Sequence, residues 1–199
     1  MDDVTALALT ARDGDRVAVS DFIRRTWAEV GRLAAALAGP ALAEDVAQDT
    51  YVRALRALPA YRADSDAHTW LLSIARRAAV DAVRGAARRR RLSRLLAGRA
   101  GASDAAQVPP ADGVLTQQVL SRLDLDRRTA FVLTQLMGFD YAGAAAVCGC
   151  PVGTIRSRVA RARTQLVAEM GLIEAGTGVA EPGAGGAMAA EADEPPVRP

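Results

Sequence analysis

Apolar positions recur at helical spacing through most of this chain. The pattern is clear from Asp15 to about Leu37, from Ala41 to Leu58 and from Ala67 to Arg84, and it resumes between about Val114 and Met170. Gly39-Pro40 punctuates the first break and Leu58-Pro59 the second. Between the third and fourth blocks lies GAARRRRLSRLLAGRAGASDAAQVPPADG, residues 85–113, with Gly, Ser, a Pro pair and four consecutive arginines. It reads as a flexible basic linker whose first part has room to be helical. Residues 171–199 are acidic and rich in Gly, Ala and Pro, the composition of a disordered tail. The predicted fold class is all-α, with two small helical domains, residues 1–84 and 114–170, joined by the linker.

Composition strengthens the helical reading. Half of the 199 residues are hydrophobic but only 4% are aromatic, so alanine and leucine dominate and the β-branched and aromatic runs that favour strands are scarce. All 25 basic residues are arginine, which a GC-rich genome explains without any appeal to nucleic acid. Charge placement says more than charge total. The chain is near neutral at +2, yet residues 67–101 carry nine arginines against one acid and residues 152–170 carry four against one. Segments of that kind attract phosphates.

Several classes drop out. No run of about 18 apolar residues is present, so no membrane insertion is expected. The acidic opening MDDVTALALTARDGD is unlike a basic secretory leader, and the expected location is cytoplasmic. Cys148 and Cys150 lie too close together to staple a fold and are read as packing residues. His68 is the one histidine and lies in the other domain, so no metal site and no cofactor is expected. There is no Gly-rich phosphate loop and no Ser/His/Asp arrangement, which argues against an enzyme and against a small-molecule substrate.

The most informative stretch is FDYAGAAAVCGCPVGTIRSRVARARTQL, residues 139–166. A short helix over about Tyr141–Cys148 ends at Gly149, suited to a left-handed cap, and Pro151 fits the first turn of the next helix. Two helices across so tight a turn form a helix-turn-helix, whose second helix can enter a major groove. On that helix Ile155, Val159, Ala162 and Leu166 make one narrow apolar stripe. The opposite side, with Thr154, Arg156, Ser157, Arg158, Ala160, Arg161, Arg163 and Thr164, is small, polar and cationic, and is the candidate DNA-reading face. Arginines on its flanks would clamp phosphates, while Arg156 and Arg161 would reach base edges.

These residues carry a resemblance. PVGTIRSRVARAR resembles the region-4 recognition helix of sigma-70 family RNA polymerase sigma factors, and LDLDRRTAFVLTQLMGFDYAGAAAVCGC resembles the start of that region. AEDVAQDTYVRAL (43–55) is similar to region 2.2, and HTWLLSIARRAAVDAVR (68–84) to regions 2.3–2.4. With no region-3 domain and no acidic N-terminal inhibitory region, the chain resembles the extracytoplasmic-function (group 4) subfamily, and VCGCPVGTIRSRVARAR is most similar to the actinobacterial sigma C type.

The resemblance implies a factor that binds core RNA polymerase through the β′ clamp helices and the β flap and directs it to promoter DNA. It assigns polymerase binding to Asp45, Gln48, Asp49, Val52 and Arg56. It assigns −10 recognition and melting to Tyr61, Arg62, Asp64, Ser65, Arg76, Arg77 and Arg84, and −35 recognition to residues 152–166. Trp70 is read as core. Many relatives have Asn where this chain has Arg77, which leaves the −10 base preference open. An anti-sigma factor is a further partner that the resemblance allows. The residues alone also fit an operator-binding regulator that uses only the helix-turn-helix.

Overall fold

The computed structural model describes residues 2–97 and 117–176, and these are helical with no strand among them. Helices α1 (Asp3–Arg12), α2 (Arg16–Ala38), α3 (Pro40–Ala57) and α4 (Ala67–Ala97) form a first unit, with a 3₁₀ turn at Leu58–Ala60. A helical stretch at 117–121, α5 (Leu125–Phe131), a π-helical turn (Val132–Leu136), α6 (Tyr141–Cys148) and α7 (Val152–Gly176) form a second.

Caps set most of the helix starts. Asp2, Asp15, Asp124 and Asp140 each turn a carboxylate back onto backbone N–H groups of the first turn. Asp66 does the same before α4, accepting from the Thr69 N–H and hydroxyl, both at 2.8 Å. Gly39, at φ +86°, ends α2, and Pro40 opens α3 where its missing N–H costs nothing.

The first unit packs α2 against α1, α3 and α4. Its core holds Phe22, Leu33, Leu37, Leu71 and Leu72, all essentially inaccessible. Two buried polar groups are satisfied within it: Thr26 Oγ1 donates to the Phe22 carbonyl at 2.7 Å and shares a 2.8 Å hydrogen bond with Tyr51 Oη. The second unit centres on Leu133, Val132, Ile155 and Val159. Its α6 also lies along α4, so one buried cluster runs through both units.

Three boundaries differ from the sequence expectation. Helix α1 falls in a segment where periodicity gave no helix. It is pinned from outside by tertiary contacts, notably Thr5 Oγ1, which accepts the Ala67 N–H at 2.9 Å. Helix α4 does not stop at Arg84 but continues through Gly85 to Ala97. Arg, Leu and Ala are strong helix formers and Ala86 is buried, which outweighs the roughly 1 kcal/mol that an interior glycine costs. The flexible linker expected over 85–113 is therefore helical in its first part, and 98–113 lies outside the described residues. Likewise α7 runs to Gly176, and 177–199, the bulk of the expected disordered tail, lies outside them.

Candidate nucleic-acid interface

The helix-turn-helix forms as the residue types require. Gly149 closes α6 at φ 63°, ψ 42°, with its N–H bonded back to the Ala145 and Ala146 carbonyls. Pro151 stands one residue ahead of α7 rather than inside its first turn, and its carbonyl accepts the Thr154 N–H at 2.9 Å. Ile155, Val159, Ala162 and Leu166 are buried, which aims α7 by its apolar stripe.

That packing leaves Arg156, Ser157, Ala160, Arg161, Arg163 and Thr164 exposed, with Thr154 half-buried at the helix start. Ser157 and Thr164 donate to carbonyls of their own helix, 2.9 and 3.2 Å away, so the exposed face is smooth as well as cationic. Arg163 Nη2 donates to Gln135 Oε1 at 2.6 Å, which steadies it at the flank. Arg158 differs from the others. Its Nη2 meets Asp126 Oδ2 at 2.6 Å and its Nη1 lies 3.7 Å from Cys150 Sγ.

In the first unit, α3 turns Val46, Ala47, Thr50, Tyr51 and Ala54 inward. Asp45, Gln48, Val52 and Arg56 face outward, and Asp49, half-buried, pairs with Arg53 at 2.7 Å. The five residues thus share one accessible face. Trp27 stacks on Tyr51 at 5.5 Å while itself 42% exposed. It is an exposed aromatic that helical periodicity alone did not single out.

The loop before α4 has a defined shape. Tyr61 is buried and donates through Oη to the Ser65 carbonyl at 2.7 Å, and its ring is tilted on Trp70 at 4.8 Å. Arg12 Nη1 reaches the Tyr61 carbonyl at 3.4 Å, and Ala63 takes the left-handed region at φ +58°. Ala60, Tyr61, Arg62, Asp64, Ser65 and Trp70 line a small cavity there. Tyr61 is therefore placed as a wall and brace of the loop rather than as a free stacking surface, because its ring is needed to cover Trp70.

Along α4, Arg77 and Arg84 are exposed, and Arg76 is largely covered, its Nη2 2.7 Å from Asp126 Oδ1. Arg76, Arg77 and Arg84 share a cleft with Arg53 of α3, with Asp126 of α5 and with Asp124, which caps α5. Asp126 is a residue that sequence reasoning missed. It stands 50 and 32 residues from its two partners, and no periodicity links positions so far apart.

The cysteines pack, partly buried, against the core. Burial pushes the Cys148 thiol up to about 11, which makes it a poor nucleophile at neutral pH. Among the described residues no cluster of His, Cys, Asp or Glu is placed to hold a metal ion, and no helix is long and apolar enough to cross a membrane.

Comparison with known proteins places these features. The Sigma-70 region 2 family matches residues 18–91, and the Sigma-70, region 4 family matches residues 114–166. The ECF RNA polymerase sigma factor SigC of Mycobacterium tuberculosis is 45% identical over 172 residues, covering 83% of this chain and 90% of the relative. EcfG, an ECF RNA polymerase sigma factor of Rhodopseudomonas palustris, is 36% identical over 130 residues, 63% of this chain and 70% of its own. Among solved structures, CnrH in complex with the cytosolic domain of CnrY aligns with a TM-score of 0.65 at 28% identity, covering 85% of this chain and 99% of that one. The sigma factor RpoE in complex with the anti-sigma factor NepR from Bartonella quintana aligns with 0.56 at 29%, covering 77% and 97%.

Proposed function

The chain belongs to the sigma-70 family of RNA polymerase sigma factors, extracytoplasmic-function type, and from that premise we propose how its two units divide promoter-directed initiation between them. Sigma factors are not catalytic enzymes, and we read this one as acting by binding alone, in the cytoplasm.

The observation that carries the reading is the α7 face, exposed and cationic opposite a fully buried apolar stripe. Docked in a major groove, it presents Arg156 and Arg161 to the base edges of the −35 element, while Arg163 and Thr164 hold the flanking backbone. Ser157 and Ala160 are small enough to allow close approach. Arg158 joins this set once it leaves Asp126.

The first unit takes the polymerase and the opened strand. Asp45, Gln48, Asp49, Val52 and Arg56 present alternating hydrogen-bonding and apolar groups to the β′ clamp helices, and the second unit engages the β flap. The cavity beside Trp70 is walled by Tyr61 and edged by Arg62, Asp64 and Ser65, and it suits one unstacked base of the −10 element. Arg76, Arg77 and Arg84 track the backbone of the non-template strand. An anti-sigma factor, of the kind bound to the RpoE relative, would act by covering these same faces.

Run-off transcription with purified core polymerase tests the assignment. A promoter-specific transcript should appear only when this chain is added, and should fall for Arg161→Ala on the −35 side and for Arg77→Ala on the −10 side. Tight, sequence-specific duplex binding by the chain alone, unaffected by polymerase, would favour a self-sufficient operator-binding regulator instead.

A further inference from the structure

Helix α1 stands ahead of residues 18–91, the stretch that the region 2 family matches. Its apolar side, Val4, Ala8 and Ala11, is buried in the first unit. Apart from the exposed Asp3–Arg25 pair, its polar ties to other elements among the described residues both land on the boundaries of the loop before α4. At one end Thr5 Oγ1 accepts the Ala67 N–H at 2.9 Å, and at the other Arg12 Nη1 donates to the Tyr61 carbonyl at 3.4 Å. Thr5 and Arg12 stand two turns apart on one face of α1, so a rigid strut of about 10 Å sets where the loop begins and ends.

We propose that Thr5 and Arg12 are positioning residues for −10 specificity: α1 holds the loop over 61–66 in the one shape whose cavity accepts an unstacked base. The role rests on the reading of that cavity as the seat of a −10 base, and adds what keeps it in shape. Neither residue lines the cavity, whose walls are Ala60, Tyr61, Arg62, Asp64, Ser65 and Trp70. Each acts through the backbone at one end of the loop.

The loop needs support from outside. Ala63 sits at φ +58°, a left-handed backbone that a residue with a Cβ keeps only where its surroundings over-determine it. Within the loop, the Tyr61 hydroxyl donates to the Ser65 carbonyl at 2.7 Å, which closes the loop on itself without fixing it to the body of the unit. The Thr5 bond does fix it. Thr5 is buried, and its hydroxyl donates to Asp2 Oδ2 at 2.6 Å, which leaves a lone pair for the Ala67 N–H. That N–H opens α4 and has no carbonyl of its own helix to meet. Without the Thr5 acceptor a buried donor is stranded, and the loop must shift to satisfy it.

The test uses holoenzyme, the full chain with core polymerase, on a promoter that the wild type transcribes. Run-off templates carry each of the four bases in turn at every −10 position, and the quantity read is the ratio of best to worst base at each position. One preparation serves all templates, so loss of folded protein divides out of that ratio. Thr5→Val, which keeps the shape and removes the hydroxyl, should lower the ratio about two- to tenfold at one position, the scale of one hydrogen bond. Thr5→Ser should restore it. Arg12→Ala should lower the ratio at the same position by less, because its bond is the longer. Equal losses on every template, with all ratios unchanged, would make α1 a packing element only and overturn the proposal. So would a Thr5→Ser chain that behaves like Thr5→Val. Should Thr5→Val fail to fold, Arg12→Ala decides, since that side chain is 34% exposed, and an unchanged ratio there overturns the brace. If Asp64→Ala and Ser65→Ala also leave every ratio unchanged, the cavity is not where a base is read, and the brace falls with that reading. If they change a ratio that Thr5→Val and Arg12→Ala do not, the brace alone falls.

Discussion

The two units solve the same packing problem with different materials. In the first, large side chains (Phe22, Leu33, Leu37, Leu71 and Leu72) fill the space between four helices, and buried threonines are tied by hydrogen bonds. In the second, leucines at 120, 123, 133 and 166, with Ile155 and valines at 132, 147 and 159, fill a smaller space without a buried aromatic ring, and the short α6 meets its neighbours through Ala144 and Ala145. Alanine on α6 lets that helix approach its neighbours closely but contributes little free energy per residue. The larger unit stands on its own core, whereas the smaller borrows α4 as part of its support. The difference also shows in function. In the proposed assignment the first unit offers broad faces to the polymerase, and the second gives the exposed side of α7, opposite its apolar stripe, to a groove.

The sharpest way to break this contrast is at the stripe. Ile155→Ala should cost about 2–5 kcal/mol in the second unit, seen in urea unfolding as an early transition. It should remove −35 binding while core-polymerase binding persists; an unshifted transition would show that the second unit does not depend on this stripe. Next in size, Arg161→Ala should weaken −35 discrimination by about 1–3 kcal/mol. Arg163→Ala should instead weaken binding on all sequences and lower the salt slope by about one. Equal losses on every promoter for both variants would remove the distinction between reading and clamping.

Smaller effects sharpen the first unit. Asp45→Ala or Gln48→Ala should each reduce affinity for core polymerase by about 1 kcal/mol, the range of a contact outside an interface hot spot, and leave duplex binding intact in a gel shift. Ala63→Gly relieves a left-handed backbone at some cost in unfolded-chain entropy. A net gain of about 0.5 kcal/mol in thermal melting is expected, and a loss would show that the methyl group packs usefully.

The smallest effect is a dependence on pH. His68 Nδ1 lies 2.6 Å from Glu29 Oε2, and that hydrogen bond raises the histidine pKa above 6.5 against the opposing pull of burial. The stability this pair supplies is fully present below about pH 6.5 and is lost as pH rises through the raised folded value. Glu29→Gln should flatten the change in midpoint across that window, and an unaltered slope would rule the pair out as its source.

Much of this could be read from the chain. The stripe Ile155, Val159, Ala162 and Leu166 follows from a 3.6-residue period, and Gly149 from the need for a left-handed cap, because both are local rules of backbone and spacing. The exposure of Arg156, Arg161 and Arg163 follows from that stripe. The extension of α4 past Gly85 was less legible, since a glycine and four arginines weigh equally as linker or as helix until Ala86 finds something to pack on. Tyr61, assigned with its neighbours to −10 recognition, gave no sign in the sequence that its hydroxyl would sit on Ser65 and its ring against Trp70.

Apart from α1 and the extension of α4, sequence alone determined the main helices, the turn between α6 and α7, and which side of α3 and α7 is apolar, because those are set by neighbours within about one or two turns. Tertiary structure decided which arginines are free. Arg76 and Arg158 look identical in the sequence to Arg77 and Arg161, and only folding brings Asp126 between the first two. Charge acts through space, and the chain separations of 50 and 32 residues carry no trace of a distance under 3 Å.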